Sequence, residues 1–474
     1  MRLVTLSLLL SFITVLTCKA APATTEWKAS AISTRITPEK PIWMAGYAAR
    51  TGSFEGIRQD LHAKTLAIED GDGQRLVIVT LDLVGVPRLL RDAIEKHTTQ
   101  KHQLPPGSLL LNASHTHSGP MIRTYQPRGK NLADQVASSK IAPEDKQQLL
   151  SAVHDYNKLL VKKINTSIDQ ALATLAPAQL KYSFARCGFA MNRRSKQPDG
   201  SFKNSPNPDG LVDQTVPTLQ IYDAKGEKLK SVLFGYACHA TTLGDKMIHG
   251  DWPGYAQQYF ETDHPGSVAM FMNGCSGDQN PYPRRKVAYV ESHGRAMATA
   301  IDAAIFANPV TVSGPLRSLL EWTPVAYDTP PTKADLLERK KSKDPYEKHY
   351  AELLLDDLKH NGSLAKSYPV PVQVIRFGDS LTLAAIGGEV VIDYALRLKK
   401  ELGAKNKGAI WIAGYSNDVM CYIASKRIIE EGGYEGKTSM RYVRSGIHPT
   451  HWSPSIEDTL VKKVHQLNDQ LDNK

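Results

Sequence analysis

The stretch Leu109-Leu110-Leu111-Asn112-Ala113-Ser114-His115-Thr116-His117-Ser118-Gly119-Pro120 decides how the rest of the chain is read. Three leucines after the breaker Pro105-Pro106-Gly107 read as a short buried strand over 108–112, and Ser-Gly-Pro reads as the turn that leaves it. In extended backbone, residues two apart point to the same side, so His115 and His117 are expected to converge at the end of this strand. Neutral imidazole nitrogen is a favoured zinc ligand, which makes the pair a candidate metal site; two polar histidines in an exposed loop is the plain alternative.

Three other apolar runs end in polar groups of the same kind. Phe234-Gly235-Tyr236-Ala237-Cys238-His239 is a second strand delivering a histidine, followed by His249-Gly250-Asp251-Trp252-Pro253-Gly254-Tyr255, a turn that starts a helix. Leu383-Ala384-Ala385-Ile386-Gly387-Gly388-Glu389 is a third, and the two glycines before its lone acid permit close backbone approach. Ala413-Gly414-Tyr415-Ser416-Asn417-Asp418-Val419-Met420-Cys421-Tyr422 leaves a fourth strand through a polar turn. Each has a bland reading by itself, as a core histidine, a helix-start carboxylate or a packed tyrosine. Several polar strand ends along one α/β sheet favour a shared site at its carboxyl edge.

Around these segments strands and helices alternate. Residues 62–68 and 75–82 form a hairpin across Asp70-Gly71-Asp72-Gly73, and 215–222 pairs with 230–237 across 224–227. Helices are expected over 87–102, 143–175, 254–262, 287–307, 333–360, 390–402 and 455–471, and further strands over 267–272, 370–377, 381–386 and 409–413. The expected fold is α/β: a layered mixed β-sheet core flanked by helices in a single large domain.

Composition narrows the function classes. The chain has 474 residues, 41% hydrophobic and 22% charged, which excludes disordered and fibrous classes and allows a full core. The net charge is +10, but the Lys-rich stretch 338–348 holds a single aromatic, Tyr346, too few for base stacking, and reads as a solvated helix face, so no nucleic acid partner is expected. Arg2, the apolar run 3–16 and the small residues Ala20-Ala21 describe a cleaved secretory signal peptide over 1–21. With no later run long enough to span a bilayer, the mature chain 22–474 is expected to be secreted or periplasmic. A lipoprotein anchor at Cys18 is a minority option, and peripheral membrane contact stays open. Cys187, Cys238, Cys275 and Cys421 then remain, with three possible disulfide pairings and no Cys-x-x-Cys spacing for a thiolate zinc site.

Taken in order, these elements resemble the neutral (non-lysosomal) ceramidases. The matching pieces are 114–120, His239 with the Asp-x-x-Gly-Tyr-Ala segment 251–256, Gly387-Gly388-Glu389, and the Asn-x-x-x-x-Tyr element 417–422; segments 56–66 and 76–86 also look similar. The likeness runs over most of residues 30–450, and His-Thr-His-Ser-Gly-Pro is its most specific part. It implies a catalytic zinc held by His115, His239, Glu389 and Tyr422, with His117 beside the metal in proton transfer or transition-state stabilisation. Asn192-Arg193 matches a family Asn-Arg-Ser element and implies that Arg193 contacts the substrate or the developing oxyanion. Tyr434-Glu435-Gly436 resembles a segment near the family's site, which brings Tyr434 into the catalytic group.

Two departures stand out. Gly277-Asp278-Gln279-Asn280-Pro281 puts Asn280 where the family has a serine discussed as catalytic, and Ser276 is not read as its replacement. The family also carries an immunoglobulin-like C-terminal domain, without counterpart in the residues after Tyr422. The expected function is hydrolysis of an amide in an N-acyl, ceramide-like substrate (a small molecule or lipid) by metal-activated water, with an ester as the nearest variant. The alternatives are a secreted binding protein of the same fold that lost the activity, and a basic envelope-associated protein. Other zinc classes fit less well: the His-x-His-x-Asp-His string is absent, the pair does not sit in the first strand of a βα barrel, and there is no His-Glu-x-x-His.

Overall fold

The sequence has long apolar runs with no polar alternation, and strands of that kind must be covered on both faces. The computed structural model describes residues 27–47, 50, 52–122, 143–442 and 447–472; the expected signal peptide lies outside the described residues. Twelve strands carry the architecture: β1 (Trp27–Arg35), β2 (His62–Glu69), β3 (Arg75–Leu81), β4 (Leu109–Ala113), β5 (Ala176–Arg186), β6 (Thr215–Asp223), β7 (Leu229–Tyr236), β8 (Val268–Asn273), β9 (Leu316–Ala326), β10 (Ser367–Phe377), β11 (Leu381–Ile386) and β12 (Ala409–Ala413).

They form two mixed sheets rather than one. The larger runs β8-β7-β6-β5-β1-β2-β3-β4, with parallel pairs only at its two edges, β3 with β4 and β7 with β8. The smaller runs β9-β10-β11-β12, with β11 and β12 parallel. The sheets pack face to face. Leu66, Ile78, Leu110, Leu233 and Met270 of the larger meet Ile375, Leu383 and Trp411 of the smaller. Alternate residues of the same strands face outward, Val77, Val79, Leu109 and Leu111 toward one group of helices and Val232, Phe234 and Phe271 toward another. The outer face of the smaller sheet (Val372, Val374, Ala384, Ile386) is covered by helices Ile392–Gly403 and Ile456–Asp472. The result is helix–sheet–sheet–helix, the layered mixed α/β single domain expected, and each fully buried aliphatic side chain contributes about 1.5–3 kcal/mol.

Periodicity places most helices well. Over Pro143–Ala173, residues Val153, Tyr156, Leu160, Ile164, Ile168 and Ala171 form one buried stripe, and Tyr156 Oη donates to the Ile36 carbonyl at 2.7 Å. The expected helix 333–360 is instead two, Lys333–Arg339 and Pro345–Asn361. Asp344 caps the second by accepting from the Tyr346 N–H at 2.9 Å, and Pro345 at its first position cannot donate back into a preceding turn. The strands β1, β5 and β9, and the short hairpin Ala190–Lys196 with Phe202–Asn207, were not expected.

The larger sheet curls until its two edges touch. The Asn273 N–H at the end of β8 donates to Asn112 Oδ1 of β4 at 2.8 Å, and Asn112 Nδ2 donates to the Gly414 carbonyl beyond β12 at 2.8 Å. One fully buried amide thus ties three strand ends together. Among the described residues Cys187, Cys238, Cys275 and Cys421 are all free and buried, so none of the three pairings forms. No described helix is long and apolar enough to cross a membrane.

Candidate metal and active site

The tie at Asn112 gathers the strand exits that carry the polar groups. The strand β4 ends at Ala113, and His115 lies beyond it with φ +61°, so the two histidines converge through a left-handed kink and not by strand alternation. The kink brings His115 Nε2 and His117 Nε2 to 3.0 Å. Gly46, at φ +97°, permits this approach: a Cβ there would sit 2.6 Å from the Cα of His117. His239 leaves β7 and is anchored by its own carbonyl, which accepts from Trp252 Nε1 at 3.0 Å. The helix Asp251–Asp263 that supplies this tryptophan also holds the loop after His239, because Asp251 accepts from the backbone of Thr242 and Leu243, both at 3.0 Å.

Glu389 and Tyr422 are held side by side by the backbone. The segments Glu389–Val390 and Tyr422–Ile423 form a short parallel ladder in which Glu389 is directly opposite Tyr422. Gly388 makes the approach possible at φ +82°, where a Cβ would lie 2.4 Å from Ile423 Cγ1.

Four donors from these segments point at one spot. Glu389 Oε2 lies 3.2 Å from His115 Nε2 and 3.4 Å from His239 Nε2, and Tyr422 Oη lies 3.4 Å from His239 Nε2. A tetrahedral zinc with bonds of roughly 2.0–2.2 Å needs donor atoms roughly 3.3–3.6 Å apart. Each histidine presents Nε2 because Nδ1 faces a carbonyl: Val84 O at 2.5 Å for His115 and Ser276 O at 2.7 Å for His239. Burial, followed by the Arg193 and His115 charges, pushes the His239 imidazole well below its ordinary range, so it is neutral at pH 7, as a ligand must be. Burial drives the Tyr422 phenol up while the Arg193 guanidinium opposes that shift. Two imidazoles, a carboxylate and a phenol in this arrangement suit a divalent ion of the zinc kind. His115, His117 and His239 present ring nitrogens within 4.8 Å of one another, which keeps His117 beside the same point.

Arg193 reaches the site from the strand Ala190–Lys196. It donates to Tyr422 Oη at 2.8 Å, to Glu435 Oε1 at 2.9 Å and to Asn280 Oδ1 at 3.2 Å. Asn280 thus occupies the serine position of the resembled family as a partner of Arg193, and Ser276 serves His239 through its carbonyl. Tyr434 packs its ring 5.3 Å from that of Tyr422. All seven expected site residues therefore lie together: His115, His239, Glu389 and Tyr422 around the point, His117, Arg193 and Tyr434 beside it. A cavity of about 500 Å³ opens above, reaching His115, His117, Arg193, His239, Tyr422 and Tyr434. Sequence reasoning missed Tyr415, whose ring lies 4.7 Å from that of His115, and the wall formed by Tyr47, Arg50, Arg284 and Arg285. No local motif marks any of them.

An α/β/β/α fold with a buried His/His/Glu/Tyr cluster under a cavity has the arrangement of a candidate metal site. The sequence model of the neutral/alkaline non-lysosomal ceramidase N-terminal region matches residues 36–290, more than half of the chain, and the chain belongs to this family. Neutral ceramidase 1 of Arabidopsis thaliana is 23% identical over 265 residues, a match covering 54% of this chain and 32% of that protein. The match therefore spans about a third of that relative's length. Among solved structures, a ceramidase complexed with C2 superposes with a TM-score of 0.71 at 20% identity, covering 95% of this chain and 76% of that one. Neutral ceramidase from Pseudomonas aeruginosa gives 0.70 at 19% identity, covering 95% and 75%. These likenesses share the fold across nearly the whole chain.

Proposed function

We propose that the protein is an exported, zinc-dependent hydrolase that cleaves the amide bond of an N-acyl, ceramide-like substrate. The observation that carries this reading is the convergence of His115, His239, Glu389 and Tyr422, with donor spacings of 3.2–3.4 Å, beneath a cavity that three of them line. Membership of the ceramidase family supports the reaction class. These four residues would hold the ion, which would lower the pKa of water toward roughly 7 and polarise a carbonyl oxygen.

The chain's own groups supply the rest. His117 Nε2, beside the cluster and not part of the four-donor set, gives a proton to the leaving amine, without which an amide C–N bond does not break at neutral pH. Arg193 holds the Tyr422 phenol oxygen in place and sets positive charge where the amide oxygen becomes negative. Tyr434 packs on Tyr422 and shapes the cavity wall beside it. Asn280 needs no nucleophilic role in this scheme, since water attacks the amide.

Amine release from a panel of fluorogenic N-acyl amides, with and without chelator, tests the reading. Turnover that chelator abolishes and added zinc restores is expected. Chelator-insensitive turnover refutes the metal-dependent mechanism, and inactivity across the panel favours the binding-protein alternative.

A further inference from the structure

We infer that the substrate of this site carries an anionic group on the amine side of its amide, an inference that rests on the hydrolase reading above. The wall of the cavity next to His117 is built around one tyrosine ring. Arg50 places its guanidinium carbon 5.3 Å from the centroid of Tyr47, and Arg285 places its own 5.9 Å from it. Arg284 lines the same cavity, and its charge also reaches Tyr47, adding a third cation. The hydrogen bonds of these arginines go to neutral acceptors. Arg50 donates to the Asp245 carbonyl at 3.0 Å and the His117 carbonyl at 2.9 Å, and Arg284 donates to the Thr241 carbonyl at 2.9 Å. Among the described residues no carboxylate pairs with Arg50, Arg284 or Arg285, and no acid lines the cavity.

Two acids have charges that reach this corner, and both are committed elsewhere. Asp245 pairs with Arg58 at 2.8 Å, and Asp251 accepts from the backbone of Thr242 and Leu243. Arg50 and Arg284 are half-buried and Arg285 is exposed at the rim, so three guanidiniums concentrate positive charge on one wall, and an anion between them relieves their mutual repulsion. The backbone also goes out of its way to present one of them. Arg285 is held at φ +76°, a left-handed conformation uncommon for a residue other than glycine, and Gly244 clears its path, since a Cβ there would lie 2.4 Å from Arg285 Nη1.

The position of this wall assigns the end of the substrate it serves. Tyr47 meets the His117 ring edge-on with centroids 4.8 Å apart, and Arg50 holds the His117 carbonyl. His117 faces the leaving amine in the proposed reaction, so an anion on this wall belongs to the amine half. The products are then a carboxylic acid and an amine bearing a carboxylate, sulfonate or phosphate. Guanidinium recognises all three through charge-assisted, often bidentate hydrogen bonds.

Short, freely soluble amides test this without a lipid surface. N-Hexanoylglycine, N-hexanoyltaurine and N-hexanoyl-O-phosphoethanolamine are compared with the neutral N-hexanoylethanolamine, by amine release and by calorimetric binding. At least one acidic amide is expected to exceed the neutral one by about tenfold or more in kcat/KM and in affinity, and the best of the three identifies the anion. In the double variant Arg284→Gln/Arg285→Gln that ratio is expected to fall toward one. In the unsubstituted protein, added salt is expected to raise KM for the acidic amide more than for the neutral one. Equal or better handling of the neutral amide, or a ratio untouched by the double variant, overturns the inference while leaving the amidase reading intact. A binding preference for the acidic amides without amine release from any of them upholds the anion site and defeats the hydrolase reading.

Discussion

Replacing Arg193 by alanine separates structural from catalytic work at the centre of this site. The side chain is buried and makes three hydrogen bonds, to Glu435 at 2.9 Å, Tyr422 at 2.8 Å and Asn280 at 3.2 Å. Breaking a buried ion pair by removing one partner costs about 3–5 kcal/mol, chiefly because the other charge is stranded. Glu435 is not stranded here, for its Oε2 keeps Arg194 Nη1 at 2.8 Å, which places the expected loss of stability at about 3 kcal/mol, the lower end. The chemical cost is separate. Losing one donor aimed at a developing oxyanion costs about 10²–10³ in kcat, or 2.7–4 kcal/mol. The Tyr422 phenol, relieved of the Arg193 charge that lowers it, rises further and becomes a poorer anionic ligand. Arg193→Lys keeps the charge but has a single Nζ in place of a fork, so it is expected to recover stability better than rate. Urea unfolding, kcat and KM measured apart, and metal content are read on all three proteins. A variant that loses stability but keeps kcat within about threefold of the parent refutes the catalytic role.

Other outcomes follow from the same geometry. His117→Ala is expected to retain bound metal and lose about 10²–10⁴ in kcat, whereas His239→Ala loses the metal; metal analysis beside turnover checks both, and an emptied site in His117→Ala refutes this division of roles. Asn112→Ala strips the amide that ties β4 to β8 and β12, leaving the Asn273 N–H and the Gly414 carbonyl buried without it, and is expected to cost about 3 kcal/mol by chemical denaturation. Burial, and then the Asp393 charge, push the Asp278 carboxyl from 3.8 up to about 6. The folded state therefore binds the extra proton between those values, so this group's contribution to stability falls as pH rises through that window and is lost above it. At 1.36 kcal/mol per unit the change is about 3 kcal/mol. The difference in unfolding free energy between the parent and Asp278→Asn is expected to shift by most of that amount, about 2.4 kcal/mol, from pH 4 to pH 7, and parallel curves contradict it.

The site was more legible than the fold around it, for a physical reason. Strand ends that carry His115, His239, Glu389 and Tyr422 are each marked by an apolar run meeting a polar residue, and glycines beside Glu389 announce the close approach that Gly388 makes. The route was not legible: the turn through φ +61° at His115 is followed by the close approach of His117 to Gly46, distant in sequence, and nothing near His115 signals either. The division into two sheets was hidden because β3, β10 and β11 are buried on both faces and lack the alternation that would assign a side. Strand β9 was missed because most of its residues are half-buried, giving neither a continuous apolar run nor a clean period of two. The break at Asp344-Pro345 was available in the sequence as a cap and a proline, but the charge run around it reads as one solvated helix. The arginine wall joins residues 50, 284 and 285, and only the packing of the loops around Tyr47 unites them.

The account depends most on a divalent ion lying between His115, His239, Glu389 and Tyr422. Elemental analysis of the purified protein, run beside Glu389→Gln, measures this directly. About one zinc per chain in the parent, sharply reduced in the variant together with amine release, is the predicted result. A metal-free parent that still cleaves an N-acyl amide contradicts it.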